Sequence, residues 1–231
     1  METTDHQLHI LDVQPETPNV KSLYLEKPAG FSFIAGQYLT IKLPNLGPVE
    51  GKAYSISSAP HEEHLRITIK DMGRFSSALL TLQEGDIVTT SSPYGFFYPE
   101  PADPTPLVFV IGGIGITPAL SIMKDLVHKD DQRSVRLLYS NRTEADIVFR
   151  GELEELSAQT PRLTIHHFIT REAPESTGFH AGRMTASHFR ELLPSFDQAE
   201  YFLCGNMDFT KSLWKDLHTL GLLQHQIYTE G

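Results

Sequence analysis

The sequence contains a single cysteine, Cys204, among its 231 residues. One cysteine excludes a disulfide bond within the chain, and it excludes an iron–sulfur cluster held by four of the chain's own cysteines. Basic residues are also scarce: 19 lysines and arginines face 29 aspartates and glutamates, which gives a formal net charge of −10. Nucleic acid is therefore not expected as the main partner, because its phosphates are bound by basic surfaces.

Long hydrophobic runs are absent as well. No apolar stretch approaches the roughly 20 residues that a membrane span needs. The N-terminus lacks the basic and then apolar pattern of a secretion signal. We therefore expect a cytoplasmic protein without a membrane span, and we take it to be a monomer.

The 11 histidines do not form a metal-binding motif. His61 and His64 are three residues apart between short predicted strands, which is not the helical His-Glu-x-x-His spacing. His166 and His167 are neighbours on a predicted strand, so their side chains face opposite sides. No metal site is expected.

The first hundred residues have the rhythm of short strands. Apolar and polar positions alternate in stretches such as 38–43 and 65–70, with glycine and proline between them. Strands at this spacing predict a six-stranded antiparallel β-barrel, with one short helix over residues 75–82.

A proline-rich segment then divides the chain, with four prolines between residues 98 and 106. We interpret residues 101–106 as a linker between a first domain, 1–100, and a second domain, 107–231. After the linker, apolar runs alternate with helical patterns, which predicts a doubly wound α/β domain with a five-stranded parallel sheet. The predicted strands are 107–111, 135–139, 163–168, 201–204 and 226–229, and the predicted helices are 118–128, 151–158, 185–193 and 208–220.

A glycine-rich turn follows the first predicted strand of the second domain. Gly112, Gly113 and Gly115 let the backbone turn sharply and approach a ligand closely. Thr117 is a good N-cap and Pro118 a good first helical residue, so we expect a helix to begin there. Free backbone amides at a helix N-terminus bind phosphate groups. The alternative is a tight turn without a ligand, since glycine motifs also match by chance.

Three further segments accompany this turn: residues 52–58 (KAYSISS), 73–76 (GRFS) and 204–206 (CGN). Together with the glycine turn, and in this order from about residue 5 to the C-terminus, they resemble the ferredoxin–NADP reductase superfamily. The resemblance implies a barrel that binds FAD, followed by a domain that binds NADPH or NADH. The ferredoxin, globin and cysteine-rich segments of multidomain members are not found in this sequence.

On the flavin side, the resemblance implies that Tyr54 packs on the isoalloxazine ring and that Ser55 hydrogen-bonds near flavin N5, with Ala53 in the same cofactor-binding strand. Lys52 stands where the family usually has arginine, against the flavin phosphate. A lysine offers one mobile charge in place of a planar fork, so FAD is expected to be held more loosely. The alternative is that Tyr54 and Ser55 are ordinary strand residues.

The turn of Gly73, Arg74, Phe75 and Ser76 begins the short predicted helix. Its backbone amides and the Ser76 hydroxyl suit a pyrophosphate, and the resemblance agrees, which favours FAD over FMN. Arg74 either supports Lys52 at the phosphate or is a solvated surface charge. The aromatic turn 93–97 either lies near the flavin, as the resemblance implies, or simply packs the barrel.

On the nicotinamide side, the resemblance implies that the pyrophosphate is held by the glycine turn, namely by Gly112, Gly113, Gly115, Thr117 and Pro118. Arg142 follows the second predicted strand of this domain, and Thr170 and Arg171 follow the third. Two arginines, without an acid for the ribose hydroxyls, favour NADPH over NADH. The alternative for Arg171 is a solvated charge at the edge of a loop.

Cys204, Gly205 and Asn206 close the fourth predicted strand, at the edge where parallel sheets bind ligands. By the resemblance they contact the nicotinamide nucleotide, and Cys204 and Ser55 form the catalytic pair that shapes hydride transfer, with the thiol near nicotinamide C4 and not acting as a nucleophile. The alternative for Cys204 is a small buried core residue. Relatives continue to an aromatic residue that covers the flavin; here that cover is expected to be missing or to come from Tyr228.

The function implied is that of an FAD-dependent NAD(P)H oxidoreductase. It would transfer hydride from NAD(P)H to FAD and pass electrons on to a protein acceptor such as ferredoxin, flavodoxin or an oxygenase component. Two alternatives stay open: an NAD(P)H:flavin reductase that uses free flavin as its substrate, and an electron-transfer subunit that works only within a larger complex.

Overall fold

The computed structural model describes residues 5–43, 46, 51–101, 103–193 and 195–230. In the first half, alternating apolar and polar residues form strands that turn one face toward a shared core, because successive side chains of a strand point to opposite sides. The elements are β1 (His6–Thr17), β2 (Val20–Leu25), β3 (Tyr38–Lys42), β4 (Lys52–Ser55), β5 (Leu65–Lys70), α1 (Arg74–Leu79) and β6 (Ile87–Thr90).

These six strands form one antiparallel sheet in the order β4-β3-β6-β1-β2-β5. The sheet closes on itself just after β4, where Ile56 bridges to Ile67 and the Ser57 amide donates a hydrogen bond to the Arg66 carbonyl oxygen. The barrel predicted from the sequence is confirmed. Within the described residues, Lys52–Ser55 of β4 pair only with β3, so the outer edge of this strand is open to a ligand.

The second half is a parallel sheet with helices on both faces. Its strand order is β10-β9-β8-β7-β11-β12, with α2 and α3 packed on one face and α4 and α5 on the other. No helix of the described chain is both long and apolar enough to cross a membrane. The elements are β7 (Leu107–Gly112), α2 (Ile116–His128), β8 (Val135–Asn141), α3 (Arg150–Gln159), β9 (Leu163–Ile169), β10 (His180–Ala181), α4 (Ala186–Leu192), β11 (Glu200–Cys204), α5 (Met207–Thr219) and β12 (Ile227–Glu230).

The doubly wound architecture is confirmed, but the expected count of five strands is wrong by one. The additional strand, β10, has two residues and pairs with the end of β9. A strand this short leaves no periodic pattern in a sequence. The first-domain helix is also shorter than expected, because after Leu79 the chain continues in tight turns: the amides of Thr81 and Leu82 bond to carbonyls three residues back.

Helix α2 begins earlier than the sequence suggested. Gly115 is its N-cap and Ile116 its first residue. Thr117 therefore lies inside the first turn, where its hydroxyl donates to the Ile114 carbonyl oxygen at 3.1 Å. The expectation that Thr117 caps this helix is wrong, because the preceding residues 113–115 already form a short 3-10 turn that runs into the helix.

The two halves share one hydrophobic cluster. Val20, Ala35 and Phe97 of the first half are buried among the core residues that line the α2 face of the parallel sheet. Phe97 meets Phe202 of β11 edge to face, with ring centroids 5.3 Å apart. Phe97 thus packs the barrel against β11.

The proline-rich connection between the halves is tied down. Arg133 Nη1 donates to the carbonyl oxygens of Glu100 and Asp103, at 3.1 Å each, and Asp131 holds the same guanidinium through a contact of 2.7 Å. The domain limits drawn from the sequence stay a prediction.

Candidate functional site

The glycine turn and the Cys204–Asn206 segment form one packed unit. A Cβ on Gly115 would lie 2.5 Å from the Cys204 carbonyl oxygen, and a Cβ on Gly205 would lie 2.7 Å from the Phe209 ring. The same ring is 3.2 Å from a Cβ placed on Gly112. These three glycines are needed because backbone and ring approach closely, and the contacts bring together two motifs that are far apart in the sequence.

Gly113 differs from the other glycines of the turn. Its φ is +53°, and a Cβ placed there would have no atom within 4 Å, so space lies above this residue. Its carbonyl oxygen accepts a hydrogen bond from the Tyr139 hydroxyl at 3.0 Å, which fixes the turn. The first amides of α2 have no acceptors within the helix. The turn is therefore open to a ligand, whereas Thr117 and Pro118 are buried beside it.

Asn206 begins α5. Its Oδ1 accepts a hydrogen bond from the Phe209 amide at 3.0 Å, so the side chain is an N-cap. The predicted contact of Asn206 with a nucleotide would therefore use its remaining amide hydrogens or its backbone. Phe209 was missed by the sequence analysis, although its ring packs over both Gly112 and Gly205.

Cys204 ends β11 and lies beside Glu230, the last residue of β12. Burial, followed by the nearby Glu230, raises the pKa of the Cys204 thiol to about 12. The thiol is therefore protonated at neutral pH and is not a nucleophile.

Glu230 is a second residue that the sequence analysis missed. Burial raises the pKa of its carboxyl group to about 7, and its Oε2 has no hydrogen-bond partner among the described residues. A buried carboxyl oxygen without a partner is costly unless it is protonated or meets a ligand. No signal in the sequence could identify it, because its unusual pKa comes from burial.

Tyr38 links Glu230 electrostatically to β4, the strand predicted to bind the flavin, which we call the flavin strand. Burial, followed by the charges of Tyr94 and Glu230, raises the pKa of the Tyr38 hydroxyl. The Glu230 carboxylate therefore acts on Tyr38 electrostatically. Tyr38 is also the direct partner of Ser55 across the β3–β4 ladder, and opposed residues share one face of a sheet. Glu230 therefore lies beside Cys204 of β11 and acts electrostatically on Tyr38, the ladder partner of Ser55.

The other face of β4 carries Lys52 and Tyr54, and both meet Phe75 of α1. The Tyr54 and Phe75 rings are stacked with centroids 6.4 Å apart, and Lys52 Nζ lies 5.4 Å from the centroid of Phe75. The predicted residues of the first domain thus gather at the open edge of β4, with Ala53 exposed between Lys52 and Tyr54. Lys52 presents its charge next to the start of α1.

The Gly73 turn offers backbone groups more than side chains. Gly73 has a φ of +131° and open space at its Cβ position. The Ser76 hydroxyl donates to the Gly73 carbonyl oxygen and accepts from the Met72 amide, at 2.9 and 2.8 Å. The hydroxyl is thus engaged in holding the turn, and Arg74 beside it is exposed. The pyrophosphate contact of this turn stays a prediction.

These observations test whether the residues fit FAD. Lys52–Ser55 lie at the open edge of the sheet, the turn at Gly73 has open space, and Glu230 Oε2 has no hydrogen-bond partner among the described residues. The residues fit the cofactor. Among the described residues, no group of three or more His, Cys, Asp or Glu side chains is arranged to hold a metal ion.

The predicted adenosine end of the nicotinamide nucleotide is formed by two loops that run side by side. The Thr170 amide and hydroxyl donate to the Asn141 carbonyl oxygen, and the Arg171 amide donates to the Arg142 carbonyl oxygen at 2.8 Å. Arg142 and Arg171 are thereby brought together, and both are exposed at the carboxyl edge of the sheet.

An acid does lie near this edge, which the sequence analysis overlooked. Hydrogen bonds from the hydroxyl and amide of Ser176, the amide of Glu175 and Arg150 lower the pKa of Glu144 to about 2. Glu144 is therefore committed to fixing the loop after β9. Its carboxylate is not free for ribose hydroxyl groups.

Two aromatic expectations have different outcomes. The Tyr228 ring stacks on Phe202 with centroids 4.7 Å apart, and its hydroxyl donates to Glu200. Tyr228 is thus part of the packed sheet edge, and the expectation that it covers the flavin is not supported. In the turn 93–97, Phe97 is buried against the second half, while Tyr94 and Phe96 are 56% and 70% exposed.

Family models match both halves of the chain. A model described as an FAD-binding domain matches residues 6–95, and one described as an oxidoreductase NAD-binding domain matches residues 109–214. Among solved structures, the flavohem-like FAD/NAD binding domain of nitric oxide dioxygenase from Vibrio cholerae has a TM-score of 0.86 at 25% identity, covering 97% of each chain.

Curated relatives agree with these models. The flavohemoprotein of Bacillus subtilis is 32% identical over 227 residues, which is 93% of this chain, and this chain spans only 56% of that relative. Ferredoxin–NADP reductase B of Sorangium cellulosum is 31% identical over 236 residues, covering 97% of this chain and 96% of that protein. The chain, an oxidoreductase with an FAD-binding and an NAD(P)-binding domain, therefore belongs to the ferredoxin–NADP reductase family.

Proposed function

We propose that this protein oxidises NAD(P)H and delivers the electrons to a protein acceptor. The observation that carries the proposal is that Glu230 lies beside Cys204 of the second domain and acts electrostatically on Tyr38, the ladder partner of Ser55 in the first domain. Each domain also has a glycine turn with open space, at Gly73 and at Gly113, where we place the phosphate groups of the two ligands. This arrangement suits two ligands that must meet between them.

When bound, FAD would supply the redox chemistry, namely hydride acceptance from the nicotinamide and electron release to the acceptor. The protein's part is to position both ligands. Ser55 offers a hydroxyl at the open edge of β4, and the neutral Cys204 thiol limits where the nicotinamide ring can lie. Glu230, with a pKa of about 7, holds or releases a proton at Oε2 near neutral pH.

We further propose NADPH as the preferred donor. Arg142 and Arg171 lie together and exposed at the carboxyl edge, where a 2′-phosphate needs two cations. Glu144, the nearby acid, is held by Ser176 and Arg150 and does not compete for the ribose.

The acceptor is proposed to be a ferredoxin, a flavodoxin or an oxygenase component, and the protein to act as a cytoplasmic monomer. A haem protein is a further candidate, because curated flavohemoproteins match this chain over little more than half of their length. The net charge of −10 means that an acidic acceptor would need a local basic patch for docking.

Anaerobic mixing tests the proposal. FAD-loaded protein is mixed with NADPH or NADH while the absorbance of oxidised flavin is followed. We expect rapid bleaching, faster at low nucleotide concentration with NADPH. Absence of bleaching with both nucleotides would overturn the enzyme proposal. If the flavin does bleach, turnover with a panel of acceptors identifies the partner.

Use of free flavin as a substrate is the second candidate function, and Lys52 is the observation that favours it. A single mobile ammonium at the phosphate cradle, already close to the Phe75 ring, implies weaker retention of FAD than an arginine would give. Desalting distinguishes the two: yellow colour that stays with the protein indicates a resident cofactor. Vigorous reduction of artificial acceptors by the isolated chain would weaken the third possibility, a subunit that works only in a larger complex.

A further inference from the structure

An ion pair between a buried arginine and a partly buried glutamate joins the two domains directly. Arg66 of β5 makes two contacts with Glu152 of α3, from Nη1 to Oε2 at 2.9 Å and from Nη2 to Oε1 at 3.2 Å. Arg66 is only 5% exposed, and its guanidinium also lies 4.6 Å from the centroid of the Phe149 ring. A bidentate pair of this kind fixes both distance and orientation, because the two planar groups must align.

On the barrel side, Arg66 is bonded to the continuation of the flavin strand. Its amide donates to the Ser58 hydroxyl at 2.9 Å, and its carbonyl oxygen accepts from the amide and the hydroxyl of Ser57. Nη2 of the same residue donates to the Ser57 carbonyl oxygen at 3.2 Å. Ser57 and Ser58 closely follow Tyr54 and Ser55 in the chain, so these hydrogen bonds tie Arg66 to the end of that segment.

On the nucleotide side, the same contacts reach α2, the helix that begins at the glycine turn. Lys124 Nζ donates to Glu152 Oε1 at 2.7 Å and to Glu62 of the barrel at 2.5 Å. The Ser121 hydroxyl donates to the Ser58 carbonyl oxygen at 2.6 Å. Burial opposes ionisation of Glu152, yet attraction and hydrogen bonds from Arg66 and Lys124 lower its pKa overall, so Glu152 is charged at neutral pH. We call Arg66, Glu152, Lys124 and Ser121 the interdomain latch.

We propose that the interdomain latch sets the spacing between the flavin strand and the nucleotide-binding turn, so that Arg66 and Glu152 are positioning residues for hydride transfer. The inference rests on the proposed function. The apolar cluster shared by the domains holds them together without fixing direction, since hydrophobic contacts are non-directional. The bidentate pair and the Ser121 bond supply the direction, and a displacement of about 1 Å at reacting atoms is enough to slow a reaction on the order of a hundredfold.

Glu152→Gln tests the latch, with Glu155→Gln, an exposed carboxylate of the same helix, as the matched control. Under saturating NADPH we expect the rate of flavin bleaching in Glu152→Gln to fall by tenfold or more, with the dissociation constants of FAD and NADPH changed less than about twofold. Arg66→Lys, which keeps the charge and loses the fork, should show a smaller loss, and the double variant should lose less than the product of the two. An unchanged rate, or a loss seen equally in ligand binding, would overturn a positioning role.

Ser121→Ala is a second test of the latch in case the Glu152 variant misfolds. It removes one neutral hydrogen bond and leaves all charges paired. We expect a bleaching rate lowered by about two- to fivefold. Hydrogen exchange of the cofactor-free protein gives an independent readout: amides in 52–58 and 116–124 should exchange faster in Glu152→Gln and Ser121→Ala than in Glu155→Gln. Equal exchange in all three would overturn the latch. If wild-type protein does not bleach at all, the proposed function fails, while the exchange data still decide whether the latch exists.

Discussion

Replacement of Glu230 by glutamine should make the cofactor-free protein more stable at alkaline pH. Burial raises the pKa of this carboxyl group from 4.5 to about 7, so the folded state holds the proton more tightly than the unfolded state does. As the pH rises from about 4.5 to 7, the unfolded chain ionises first. Stability is therefore lost across this window and levels off above it. At pH 4 the proton is bound in both states and this loss is absent.

The magnitude follows from the size of the pKa shift. Each unit is worth about 1.4 kcal/mol, so ionisation of Glu230 costs about 3 kcal/mol of unfolding free energy at pH 8. Glutamine has nearly the same shape and no charge to bury. Glu230→Gln should therefore match the wild type near pH 4 and exceed its unfolding free energy by about 3 kcal/mol at pH 8.

Urea unfolding of FAD-free protein at several pH values between 4 and 8 measures this difference. Glu63→Gln, which removes an exposed carboxylate, is the control for a general change in charge. The difference between Glu230→Gln and the wild type should grow between pH 4.5 and 7, and the control should show no such growth. Parallel curves for Glu230→Gln and the wild type would refute the reasoning, because they would mean that Glu230 ionises as freely in the folded state as in the unfolded state.

Three further substitutions test the binding sites. Lys52→Arg should tighten FAD binding by about 1 kcal/mol through one additional charge-assisted hydrogen bond, measured by flavin titration; unchanged or weaker affinity would contradict the assignment of this position to the phosphate. Arg171→Gln should raise KM for NADPH about tenfold and leave KM for NADH nearly unchanged, and an equal effect on both would remove the case for a 2′-phosphate site at Arg142 and Arg171. Gly115→Ala places a Cβ 2.5 Å from the Cys204 carbonyl oxygen, so we expect a loss of about 2 kcal/mol or more in unfolding free energy, and a variant as stable as the wild type would disprove the close approach.

The parts of the site that could be predicted from the sequence are those in which the local backbone conformation requires a particular residue type. A sharp turn between a strand and a helix is predicted by Gly112, Gly113 and Gly115, and the structure has that turn. The motifs around Ser55 and Cys204 could be matched to a known family because they are short and contiguous. The spatial relation between them depends on the packing of two domains, which no local pattern encodes.

Other features escaped prediction for identifiable physical reasons. Glu230 looks like any acidic residue near a chain end until burial changes its pKa. Thr117 has the residue type of a helix cap, yet a 3-10 turn starts the helix ahead of it. Arg66 lies on a regular strand, and its partner Glu152 is 86 positions away, so only the folded chain reveals the pair. Residue type predicts local geometry, and long-range partners decide chemistry.

The hydrophobic cluster that spans both halves has a practical consequence for dissecting the protein. Cutting the chain at its proline-rich connection would remove the contact between the Phe97 and Phe202 rings. It would also expose Ala35 and Val20 to water. The fragment ending near residue 106 would present a new apolar surface, and such surfaces promote aggregation. The barrel contacts the second half through this shared hydrophobic cluster. Chimeras that exchange the nucleotide-binding half between relatives would therefore need to carry the contacting residues of both halves together.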